Sequence, residues 1–225
     1  MILRRIACFL LCLSLFSIPI RAESAPKYVA LTFDDGPSGR YTSRLLEGLA
    51  QRNVKATFFL CGYRLKEYPK LSARIQSEGH EIGLHGYSHN SMKKMDNEQL
   101  EREIADTFAL LPPGCRPVFL RPPGGACSPA VENAARQAGL AILNWTVDPR
   151  DWASHDAPTI AAAVTAAVAD GDVILMHDMS DSSVDAALEI IDTLKKQGFR
   201  FVTAKELARL KGHAIEPGKI YKSFT

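Results

Sequence analysis

Residues 28–37, Tyr28-Val-Ala-Leu-Thr-Phe-Asp-Asp-Gly-Pro37, run from the apolar stretch Val29 to Phe33 directly into two acids and a turn. The same change of character recurs down the chain. Short β-branched or aromatic runs fall at about 28–33, 54–60, 80–84, 118–121, 140–147, 172–176 and 199–202, which the pattern predicts as strands. Between them, amphipathic stretches at about 41–52, 68–78, 97–111, 128–139, 157–169, 183–197 and 203–211 predict helices. Ser128-Pro129 and Ala157-Pro158 mark helix starts, and Gly79, Gly139 and Gly198 mark helix stops. Seven strand–helix units predict an α/β fold with a parallel sheet covered by helices, as a barrel or a doubly wound sheet.

The composition agrees with one globular domain: 225 residues, 46% hydrophobic and 23% charged. Twenty-seven basic residues against 25 acidic ones give +2, no footprint for nucleic acid. Arg4, Arg5 and Arg21 supply that excess. They flank the apolar run Ile6–Ile20, long enough for a signal-peptide core and short of the ~20 residues that span a bilayer. Residues 1–22 therefore read as an export leader and 23–225 as the domain, with the product secreted or at the extracytoplasmic cell surface. Cleavage after Ala22 is expected, and without it the leader becomes an anchor. Cys8 and Cys12 lie in the leader; of the rest, Cys115 and Cys127 are the expected disulfide pair, leaving Cys61 as a buried hydrophobe.

In either architecture the active site lies at the carboxyl ends of the strands, so the residues just beyond each strand carry the functional signal. Strand one ends in Asp34-Asp35-Gly36-Pro37, strand three in His85-Gly-Tyr-Ser-His89 and strand four in Arg121-Pro-Pro-Gly-Gly125. Strand five ends in Asp148-Pro-Arg-Asp-Trp152 and strand six in Leu175-Met-His177. Strands two and seven end blandly. Neighbouring strand residues face opposite ways, so Asp34 and Asp35 can aim at different targets, a proton and a cation. His85 and His89 stand four apart, the spacing that puts two imidazoles on one face of a helical turn. Two histidines and a carboxylate leave coordination positions open and suit Zn²⁺. The prolines after Arg121 hold it at the mouth. Asp156, Asp178 and Asp181 read as solvated loop acids, and His80, His155 and His213 as structural.

The ordered set Thr32-Phe-Asp-Asp-Gly-Pro37, His85-x-x-x-His89, Arg121-Pro-Pro, Asp148-x-x-Asp-Trp152 and Leu175-x-His177 resembles the five motifs of the polysaccharide deacetylase (NodB-homology) family of carbohydrate esterases. The resemblance covers about residues 27–210. It implies a distorted (β/α)7 barrel that removes acetyl groups from N-acetylated sugars of a cell-wall or chitin-like polysaccharide, using one divalent ion, Zn²⁺. It implies Asp35, His85 and His89 as metal ligands, Asp34 as general base with Arg121 beside it, and His177 as general acid with Asp151 as its partner. Trp152 and Leu175 match the walls around the acetyl methyl, and the Gly124 N–H faces the developing oxyanion. The expected partner is an N-acetylated glycan, peptidoglycan or a chitooligosaccharide, acted on by a monomer. Two departures stand out. Gly86 replaces the usual Ser or Thr, which predicts a less steady metal loop, and Gly124 replaces a common aromatic, which predicts a wider or differently specific groove. An O-acetyl (xylan-type) esterase and a non-catalytic glycan-binding protein are the competing readings.

Overall fold

The computed structural model describes residues 25–225, so the leader expected at 1–22 lies outside the described residues. β1 (Lys27–Asp34) sends Val29, Leu31 and Phe33 outward into the largest apolar cluster, while Ala30, Thr32 and Asp34 face the opposite way. Period-two alternation repeats the division in every long strand. In β2 (Thr57–Leu60), Phe58 and Leu60 pack outward and Phe59 inward; in β6 (Val173–His177), Ile174 and Met176 pack outward and Val173 inward. The outward residues meet α1 (Gly39–Gln51), α3 (Pro69–Ser77), α6 (Ala157–Ala167) and α7 (Asp181–Lys196), whose Leu45, Ile75, Ile160 and Ile190 lie in the same cluster. A second outer cluster packs β3 (Glu81–Leu84), β4 (Phe119–Leu120) and β5 (Ala141–Leu143) against α4 (Asn97–Phe108) and α5 (Pro129–Gln137).

Every pairing between these strands is parallel, in the order β6-β1-β2-β3-β4-β5 and then β8 (Ile220–Tyr221). Beyond β5 the chain leaves β8, and Val147 makes a parallel bridge to Ile174 of β6. The sheet therefore curls back on itself, and the barrel alternative is the correct one. Its distortion has a clear origin. β7 (Phe199–Val202) does not stand between β6 and β1; it pairs only with Lys27–Ala30, at the bottom of β1 on the edge that β2 occupies higher up. The strand ends level with Ala30, far below the mouth, which explains why no functional residue follows it.

The structure departs from the local sequence pattern at three places. The helix expected at 68–78 is preceded by a separate α2 (Gly62–Glu67), because Pro69 opens α3 and holds Tyr68 out of the helical region. The strand expected at 140–147 splits between two partners at the seam. The tail after Gly212, which lacks periodicity, forms β8 and inserts Phe224, fully buried, against Phe119 and Tyr221 under α8 (Ala204–Leu210). Phe224→Ala is expected to cost about 3–5 kcal/mol, since it opens a cavity the barrel floor cannot refill. Denaturant unfolding measures it.

The expected disulfide is absent: Cys61, Cys115 and Cys127 are all free thiols. Cys115 packs on the largest cluster and Cys127 on the α4–α5 cluster, so their two loops are drawn to different helical layers. Cys61 is buried as expected, and burial together with Asp35 and Asp34 pushes its thiol well above the ordinary range.

Candidate active site

The inward residues at the upper ends of the strands form the site. Asp34 and His177 are register partners on β1 and β6, and thus neighbours across one strand pair. Arg121, just past β4, is fully buried beneath them rather than held at the mouth as its prolines suggested. Its Nη1–H donates to Asp34 Oδ1 (2.7 Å) and Thr32 Oγ1 (2.8 Å), its Nε–H to the Leu143 carbonyl (2.7 Å) and its Nη2–H to the Asn144 carbonyl (3.0 Å). The guanidinium also lies 3.9 Å from the Phe59 ring centre. A cation so far from water requires a carboxylate beside it, and Asp34 supplies the charge.

Asp35 lies one residue beyond β1 and reaches the site through a left-handed backbone, φ 72°. Its Oδ1 is 3.2 Å from His85 Nε2 and 2.9 Å from His89 Nε2. The helical turn expected for the two histidines does not form. Residues 85–89 are a loop with Gly86 at φ 76° and His89 at φ 61°, and the imidazoles converge through that path, ring centres 5.3 Å apart.

The donor set fits a divalent cation. His85 Nδ1 lies 2.7 Å from the Arg121 carbonyl, which can only accept, so Nδ1 carries the hydrogen and the lone pair of neutral His85 is on Nε2. That lone pair faces a buried Asp35 oxygen with no hydrogen-bond partner. Two electron-rich atoms at 3.2 Å repel unless a cation sits between them. Without a cation, burial works to raise the Asp35 carboxyl, but the imidazoles in their protonated form outweigh it and hold it well below the usual range, while Asp35 in turn raises His89 and favours a proton there. A metal must displace that proton, so its affinity should fall on acidification. We expect a His85→Ala/His89→Ala double variant to lose high-affinity binding of a divalent ion to metal-stripped protein, as calorimetry measures it; undiminished binding would overturn the ligand assignment.

On the other side, His177 Nδ1 is 2.8 Å from Asp151 Oδ1, and the His177 backbone N–H donates to Asp151 Oδ2 (2.9 Å). One buried carboxylate thus holds both the ring and the strand end, leaving Nε2 as the free ring nitrogen. Burial pulls the imidazole down, but Asp151, with Asp34 and Asp35 behind it, raises it to about 9. The raised value means that the pair's contribution to stability is full below pH 6.5 and is lost as pH rises through about 9.

Leu175 is buried yet belongs to none of the three apolar clusters, which fits a wall of the site. Trp152 is 59% exposed at the rim with the Arg150 guanidinium 5.3 Å from its ring centre. Gly124 has φ 67° and nothing within 4 Å of where a Cβ would point, so the backbone there borders open space.

Some supporting residues gave no usable signal in the sequence. Asp178 is fully buried, not a solvated loop acid. Its carboxylate accepts from Thr42 on α1 and its carbonyl from the Ser38 hydroxyl, tying the first acidic turn to the end of β6. Burial raises this carboxyl to about 7, outweighing the Thr42 hydrogen bond that lowers it. The bland end of β2 also matters: the N–H groups of Cys61, Gly62 and Tyr63 donate to the carbonyls of Gly36, Gly86 and Tyr87, joining the two loops that carry Asp35 and the histidines. Glu103 on α4 bonds the histidine loop, where Gly86 offers no hydroxyl. His80 is structural as expected, its Nδ1 accepting from Ala56 N–H and burial pushing it down to about 4.

Comparison with known proteins points to one family. The family model described as polysaccharide deacetylase matches residues 21–143. A Bacillus cereus peptidoglycan-N-acetylglucosamine deacetylase is 39% identical over 191 residues, covering 82% of this chain and 90% of the relative. A Listeria monocytogenes peptidoglycan-N-acetylglucosamine deacetylase is 36% identical over 87% of this chain, which spans 41% of that longer protein. Among solved structures, a family 4 acetyl xylan esterase from Clostridium thermocellum in complex with a cobalt ion superposes with TM-score 0.82 at 40% identity, covering 88% of this chain and 98% of the other. With the barrel, the ordered motifs and this likeness in agreement, the chain belongs to the polysaccharide deacetylase family.

Proposed function

We propose that this chain is a metal-dependent N-deacetylase that hydrolyses the acetamide of N-acetylated sugars in peptidoglycan or chitin-like glycans. The observation that carries the reading is the pairing of opposite proton tasks on adjacent strands. Asp34, paired with Arg121, stands where a base is needed, and His177, bound to Asp151, is kept protonated as an acid. Asp35, His85 and His89 would hold the ion, Zn²⁺ in this reading, whose bound chemistry is to acidify a water and polarise the acyl oxygen.

The remaining steps belong to the chain's own groups. Asp34 takes the proton of the attacking water. The Gly124 N–H donates toward the oxygen where negative charge develops. Leu175 and Trp152 flank the acetyl methyl, and His177 Nε2 delivers its proton to the sugar nitrogen as the C–N bond breaks. Residues 1–22 would export the enzyme, as a monomer, to act outside the cytoplasm or at the cell surface. O-deacetylation is the second reading, favoured by the acetyl xylan esterase likeness, because an ester uses the same water and oxyanion. Acetate release from GlcNAc oligomers, peptidoglycan and acetyl-xylan, with and without Zn²⁺, tests both. Metal-dependent release from the N-acetylated substrates is the expected result. Release from acetyl-xylan alone would transfer the assignment to the ester.

A further inference from the structure

His85 and His89 reach the same carboxylate oxygen but are held very differently. The His85 side chain is 2% exposed, the residue's backbone N–H donates to the Leu60 carbonyl and its ring Nδ1–H to the Arg121 carbonyl. The His89 side chain is 42% exposed, and its left-handed backbone places the ring by the path of the loop. The shape of residues 86–89 therefore sets where His89 Nε2 lies.

The carboxylate of Glu103 controls that shape from outside the loop. Its Oε2 accepts the consecutive N–H groups of Tyr87 (2.6 Å) and Ser88 (2.9 Å), and its Oε1 accepts the Ser88 hydroxyl (2.6 Å). Three donors converge on one anion, each bond of the stronger charge-assisted kind. Among the described residues, no other side chain outside the loop bonds Tyr87 or Ser88. Glu103 is itself well seated, since α4 opens with a capping box at Asp96 and Gln99 and buries Leu100 and Ile104. The loop is cut to fit: a Cβ on Gly86 would lie 3.0 Å from Glu103 Oε2, so the carboxylate occupies the space a side chain at 86 would need.

We propose that Glu103 is a positioning residue that sets the metal affinity of the site by fixing the loop that presents His89, with Gly86 as the gap that admits it. The inference rests on the reading of Asp35, His85 and His89 as the metal ligands. It requires hydrogen-bond acceptance at Glu103, with no contact to substrate.

The test is calorimetric titration of Zn²⁺ into metal-stripped wild type, Glu103→Ala, Glu103→Gln and, as a control that destabilises the same helix, Leu100→Ala, all well below their Tm. Glu103→Ala should weaken binding by about 10–100-fold, the usual effect of losing a group that orients a ligand. Glu103→Gln should fall between alanine and wild type, because its amide oxygen still accepts both N–H groups. With saturating metal, kcat of Glu103→Ala should return toward wild type with KM unchanged. Wild-type affinity in Glu103→Ala, or an equal loss in Leu100→Ala, would overturn the proposal. A wild type that binds no Zn²⁺ would remove the ligand reading itself, a distinct failure.

Discussion

Asp34→Asn should retain its metal and lose acetate release by about 10²–10⁴-fold, the usual contribution of a general base, because an amide cannot accept the proton of the attacking water. The structure adds a second expected effect. Arg121 is fully buried, and Asp34 carries the charge that offsets its own. Removing one member of a buried pair leaves the other unmatched, so stability should fall by about 3 kcal/mol, a drop in Tm of roughly 6–12 °C. The asparagine oxygen still accepts from the guanidinium, which keeps the variant folded at assay temperature. Metal content, acetate release and a melting curve on one preparation separate the effects. Loss of metal along with the rate would make Asp34 a ligand rather than the base.

His177→Ala should abolish release from GlcNAc oligomers and spare part of the turnover of an activated acetate ester, because the amine must be protonated before it leaves and the activated alcohol need not be. Asp151→Asn should show the same bias more weakly. It also tests the origin of the raised imidazole. An acid must be protonated to act, so the amide rate should decline as pH rises through the His177 pKa, about 9 with Asp151 in place. Without that carboxylate the decline should begin about one unit or more lower, toward the ordinary 6.5. Equal losses on amide and ester would contradict the acid role and point to an effect on metal content or folding, which direct measurement of both resolves.

The barrel and most of its site are written in local patterns. Alternation of apolar runs with amphipathic helices specifies parallel strands, and strand periodicity specifies that Asp34, Arg121 and His177 share the inner face once those strands close. What local pattern cannot carry is path and depth. Asp35 and His89 reach the metal position through left-handed backbone, held there by bonds from the end of β2 and from α4, elements distant in sequence. Spacing alone therefore suggested a helical turn for the histidines where a loop forms. Depth misled in the same way: Arg121 and Asp178 look like mouth and loop residues in the chain, yet both are fully buried, because later strands and α1 close over them. The closing strand β8 and Phe224 came from a tail without periodicity, since two paired residues and one aromatic plug need only a matching gap in the floor, and that gap exists only after the barrel has formed.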